Sequence, residues 1–107
     1  MNIQITGDKS FLTPEIKKII DEHFTKKVDM LLQKFSPEIK TAKMRIIREK
    51  FEGGSFTINF DISLPGKENL FSESHHRLFI PALVDLREQL EKQIKKYKAE
   101  ITSYSIG

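Results

Sequence analysis

The chain has 107 residues, 18 Lys plus Arg against 15 Asp plus Glu, and a formal net charge of +3 with histidine neutral. That length fits one domain, and 38% hydrophobic beside 31% charged residues supports one modest core while excluding a disordered chain. The absence of cysteine excludes a disulfide framework, a thiol nucleophile and a thiolate zinc site, and suits a reducing compartment.

Residues 2–6 alternate, with Ile3 and Ile5 on one face and Asn2, Gln4 and Thr6 on the other, which predicts a short strand closed by Gly7. Thr13-Pro14-Glu15 then supplies a capping hydroxyl, a proline at the first helical position and a carboxylate in the first turn. Ile16, Ile19, Ile20, Phe24, Val28, Leu31, Leu32 and Phe35 continue at helical spacing until Ser36-Pro37. From Lys40 to Lys50 the period becomes two, with Ala42, Met44 and Ile46 on one face and Lys43, Arg45 and Ile47 on the other. Arg48 falls on the apolar side of a regular strand, so either a bulge resets the register near Ile46-Ile47 or Arg48 snorkels out at the sheet margin.

Glu52-Gly53-Gly54-Ser55 reads as a turn, and residues 56–64 alternate apolar and polar without a break. A second turn at Leu64-Pro65-Gly66-Lys67-Glu68 leads to a weaker strand over 69–75, with Leu70 as its anchor and Ser72 and Ser74 on the core face. The last helix is expected from Phe79 to about Glu100, with Pro81 tolerable in its first turn and 101–107 as a frayed tail. The order is β-α-β-β-β-α. A right-handed crossover sets the first two strands parallel, and two hairpins extend the sheet antiparallel. The fold class is α+β: a four-stranded mixed sheet with two helices packed on one face and the other face in water. Residues 1–101 form one domain and 102–107 a short C-terminal tail.

No segment approaches the roughly 18 consecutive apolar residues of a membrane helix, and the alternating start is unlike a signal peptide. A cytoplasmic protein without membrane contact is expected. Residues 1–55 hold 11 basic and 8 acidic side chains, whereas 56–107 hold 7 of each. Two stretches are locally +4: residues 40–50, with Lys40, Lys43, Arg45, Arg48 and Lys50 against Glu49, and residues 92–98, with Lys92, Lys95, Lys96 and Lys98. The first reads either as phosphate contact from a flat basic sheet or as a solvated face kept soluble by charge. The second reads either as an anion-binding face or as helix-terminal cations in i,i+4 pairs, Glu88 with Lys92 and Glu91 with Lys95. The first helix adds Lys17, Lys18, Lys26, Lys27 and Lys34 among four acidic residues, of which Lys26 and Lys27 lack an adjacent acid.

His75 and His76 point to opposite faces of a strand and His23 is remote, so no metal site is expected. Phe71 reads as an edge-strand aromatic packing on its neighbour, with base stacking as the functional alternative. No Gly-rich phosphate loop, nucleophile elbow or paired-carboxylate arrangement occurs, so neither an enzyme, a cofactor nor a small-molecule substrate is expected.

Taken together, these pieces resemble the ribosome hibernation promoting factor family, also called ribosome-associated inhibitor or sigma-54 modulation proteins. The resemblance rests on Met1-Asn2-Ile3-Gln4-Ile5-Thr6-Gly7, on Leu12-Thr13 leading into a helix with Phe24, and on Ile39 to Lys50 ending Arg48-Glu49-Lys50. Ile62-Ser63-Leu64-Pro65-Gly66 and the run Ala82-Leu83, Leu86, Leu90 and Gln93-Ile94-Lys95-Lys96-Tyr97-Lys98 complete it. The chain departs from the family at Leu78-Phe79-Ile80-Pro81-Ala82-Leu83-Val84, which lacks the usual acidic residues and tyrosine, and its first helix is about one turn longer between Phe24 and Phe35. Gln89 and Arg48 stand where a lysine and an inward aliphatic residue are typical.

The resemblance implies a short-form, monomeric hibernation factor that binds rRNA in the mRNA and tRNA channel of the small ribosomal subunit and inhibits translation in idle ribosomes. It implies that Lys26, Lys92, Lys95, Lys96 and Lys98 contact rRNA; Lys27, Lys43, Arg45 and Lys50 are added from the charge pattern. The competing reading is a protein-interaction module of the same fold without ribosome binding.

Overall fold

The structure is a computed structural model that describes residues 3–33, 41–49, 54–64 and 69–106, with side chains as far as Ala99. Strand β1 (Ile3–Gly7) leads into a helical rod capped by Thr13, whose Oγ1 accepts from the Ile16 N–H at 3.3 Å ahead of Pro14. The rod begins as α1 (Pro14–Ile20), widens into a π-helical turn at Asp21–Thr25, where the Lys26 N–H reaches the Asp21 carbonyl, and resumes as α2 (Lys26–Leu32). Strands β2 (Ala42–Glu49), β3 (Ser55–Ile62) and β4 (Leu70–His76) follow, and helix α3 (Phe79–Ile106) closes the chain.

Periodicity explains the π turn. The buried residues of the rod, Ile20, Phe24, Val28 and Leu32, are spaced by four. Each such step in a plain α-helix overshoots a full turn by about 40°. The wider i→i+5 turn takes part of that drift back and keeps all four side chains on the sheet.

The sheet order is β1-β2-β3-β4, with β1 parallel to β2 and both later pairs antiparallel, as the crossover and hairpins predict. Gly7 pairs with Ile46 so closely that an added Cβ would lie 2.6 Å from the Ile46 carbonyl oxygen. Both helical rods cover one face. Phe24, Phe60, Met44, Ile58, Leu86, Leu90 and Ile94 fill the space between them and the sheet. Phe11, just before the first rod, and Phe79, at the start of α3, both stack near Phe56, at 5.1 and 5.4 Å between centroids, so the rods start at the same end of the sheet. Farther along, Phe24 meets Phe60 edge to face at 4.8 Å.

One open alternative is resolved and one expectation changes. The β2–β3 register runs unbroken from Ala42↔Ile62 to Glu49↔Ser55, so no bulge forms and Arg48 takes the marginal position, its guanidinium 5.8 Å from the Phe11 ring and 5.9 Å from the Phe56 ring. Helix α3 continues to Ile106, so residues 101–106 are helical where a frayed tail was expected from the sequence. No proline or glycine interrupts the chain between Pro81 and Gly107, and nothing local stops the helix. At about 1.5 Å per residue α3 also outruns the strands it packs on.

Candidate nucleic-acid interface

Leu86, Leu90, Ile94 and Tyr97 hold α3 on the sheet and so fix the azimuth of its remaining residues. Lys92, Lys95 and Lys96 lie at i, i+3 and i+4 on the exposed side, one ridge of cations. The pairings that the sequence offered them do not form. Glu91 is taken by Arg87 one turn earlier, with Nε and Oε1 3.4 Å apart, an ion pair without hydrogen-bond geometry. Arg87 is held by a second contact, since its Nη1 donates to the His23 carbonyl at 2.9 Å, inside the π turn. The π turn thus anchors α3, and Arg87 draws Glu91 away from Lys95. Lys92, Lys95 and Lys96 have no ion pair among the described residues.

On the first rod Lys26 and Lys27 are exposed at the start of α2, just past the His23 carbonyl that Arg87 binds. Lys26 sits 3.7 Å from Asp21 in a solvated pair, which screens it little and adds little stability. Lys98 is half-buried beside the ridge. The helical side therefore gathers six of the nine candidate residues: Lys26, Lys27, Lys92, Lys95, Lys96 and Lys98.

Lys43 and Arg45 are elsewhere. They stand on the open face of the sheet, opposite Asp61 and Asn59 in the β2–β3 register. That face carries Glu49, Asp61 and Glu73 against those two cations, so it is a mixed polar surface and not a basic platform. Lys50 lies outside the described residues. The positive stretch at 40–50 is thereby divided, because alternate strand residues point to opposite faces.

Phe71 is 55% exposed and makes no ring contact among the described residues, so it does not pack on a neighbouring ring. His75 and Thr57 are cross-strand partners linked at 2.8 Å between Nδ1 and Oγ1. Arg87 was absent from the sequence-derived site. Its signal was faint: a basic residue four before Glu91.

Residues 3–102 match the family described as Sigma 54 modulation protein / S30EA ribosomal protein. The chain belongs to that family. Two solved structures share the fold of this family member. A ribosomal subunit interface protein from Coxiella burnetii aligns with a TM-score of 0.69 at 20% identity, over 92% of this chain and 99% of its own. The N-terminal domain of Thermus thermophilus Protein Y aligns with a TM-score of 0.70 at 18% identity, over 91% and 99%. No curated protein matches the chain. The family is one of ribosomal proteins by its description and not an enzyme family, and no helix among the described residues is long and apolar enough to cross a membrane.

Proposed function

We propose that this protein is a cytoplasmic hibernation factor that binds rRNA of the small ribosomal subunit in the channel for mRNA and tRNA, and so inhibits translation in idle ribosomes. The observation that carries the reading is the exposed ridge of Lys92, Lys95 and Lys96, which has no ion pair among the described residues, in a member of a family described as ribosomal. Unpaired, exposed ammonium groups neutralise phosphates and release counterions without first breaking internal ion pairs. Lys26, Lys27 and Lys98 extend the same side, and contact through backbone and shape suits A-form RNA. The protein acts as a monomer and needs no cofactor or small-molecule substrate.

Sucrose-gradient sedimentation with purified small subunits, at low and at moderate salt, tests the reading. The protein is expected to travel with the subunits at low salt and to dissociate as salt rises, and to block initiation in a translation extract. Absence from the subunit fractions at every salt concentration would overturn ribosome binding and leave a protein-interaction module of this fold. Binding unaffected by Lys92→Glu/Lys96→Glu would overturn the site.

A further inference from the structure

The open face of the sheet carries polar groups that the helix-side site does not use. The register lays them out in two rows: Gln4, Lys43, Asp61 and Phe71 across one, Thr6, Arg45, Asn59 and Glu73 across the next. Between the rows lies a depression of about 330 Å³ lined by Gln4, Thr6, Lys43, Arg45, Asn59 and Asp61. None of these six side chains has a hydrogen bond or ion pair among the described residues. Oδ1 of Asn59 and Oδ1 of Asp61 are moreover shielded from solvent and meet no hydrogen-bond donor among the described residues. Buried acceptors without donors are rare and costly in folded proteins. Their cross-strand partners Lys43 and Arg45 are exposed and line the same depression.

We propose that this depression binds an unpaired guanine nucleotide, free or within single-stranded RNA. The chemistry selects the base. Guanine has two adjacent donors, N1–H and the N2 amino group, on one edge, which match the two oxygens of a carboxylate. Adenine, cytosine and uracil each have a single donor group on the equivalent edge. Guanine also carries the O6 and N7 acceptors that an arginine fork takes. Asp61 reads the donor edge, Arg45 reaches O6 and N7 from the diagonal position about 7–8 Å away, and Lys43 meets the phosphate. The exposed ring of Phe71, directly across from Asp61, provides the stacking surface that nucleobases seek. Asn59 and Thr6 complete the floor with adaptable amide and hydroxyl groups. This function is separate from rRNA phosphate binding, because the sheet stands between this face and the lysine ridge.

Titration of the full chain with GMP, AMP, CMP and UMP, read by NMR shifts of the sheet-face residues, tests the proposal without ribosomes. GMP is expected to bind about tenfold or more tightly than the other three, and Asp61→Asn to remove that preference. Phe71→Ala is expected to weaken GMP binding while the circular dichroism spectrum and melting temperature stay close to those of the parent. A parallel arm uses the oligonucleotides UUGUU and UUAUU: binding of UUGUU without binding of GMP identifies RNA as the source of the base, and binding of both identifies guanine itself. Equal affinity for all four nucleotides, shifts away from this face, or no binding of either GMP or UUGUU would overturn the assignment. Those outcomes leave the sedimentation result untouched, so the two readings fail separately.

Discussion

Gln93 on α3 fastens the edge strand through Ser72: its Nε2 donates to the Ser72 Oγ at 3.1 Å and to the neighbouring Phe71 carbonyl at 3.0 Å. Ser72 is 2% exposed, so its hydroxyl has little access to water as a substitute. Gln93→Ala removes both bonds and leaves a buried group short of a partner. A loss of about 1–3 kcal/mol is expected, measured as a lower midpoint in urea with an unchanged slope.

Gly7 is required by the approach of two backbones. A Cβ there would sit 2.6 Å from the Ile46 carbonyl oxygen, and a main-chain atom cannot yield as a side-chain tip does. Gly7→Ala is expected to destabilise the domain by about 1–3 kcal/mol and to raise hydrogen exchange first at the β1–β2 pairing.

The π turn predicts an asymmetry between deletions. Removing Glu22, an exposed residue inside Asp21–Thr25, converts the spacing of Ile20, Phe24, Val28 and Leu32 to three, four and four, which a plain α-helix accommodates. Removing Lys18 leaves the π turn in place and rotates the residues before it by about 100° relative to the sheet. Thermal melts are expected to show a smaller drop for the Glu22 deletion than for the Lys18 deletion; the reverse order would contradict the phase-correcting role.

The lysine ridge predicts separate effects on binding and stability. Lys95→Ala is expected to change unfolding free energy by less than about 0.5 kcal/mol, since the side chain is exposed and has no ion pair among the described residues. The same change should lower the salt slope of subunit binding by about 0.7–0.9, the share of one phosphate contact. An Arg87→Ala variant should instead lose stability, because its hydrogen bond to the His23 carbonyl joins the two helical rods and its ion pair with Glu91 is lost with it.

Most of the element order was legible because each segment has a clean period. Residues 56–64 alternate without interruption, and all but the last two fall in β3; Thr13-Pro14-Glu15 starts a helix; Ser72 and Ser74 face inward as the period of the weak strand requires. The site was legible only in part. Four lysines near the end of the last helix were visible as a cluster, but the freedom of Lys95 from Glu91 depends on Arg87, whose partner His23 is 64 residues away in sequence. The charge run at 40–50 was misleading as a unit, since a strand sends alternate residues to opposite faces.

Periodicity, caps and turn residues, all short-range features, determined the β-α-β-β-β-α order and the single apolar face of the sheet. The tertiary structure decided what rests on distance between segments. It placed Arg48 over Phe11 and Phe56 in a regular strand, gave Glu91 to Arg87, and opposed Asp61 to Lys43 on a sheet face where neither side chain has a partner among the described residues. These outcomes follow from register and from the azimuth of packed helices, and both are set only when the core residues of distant segments meet.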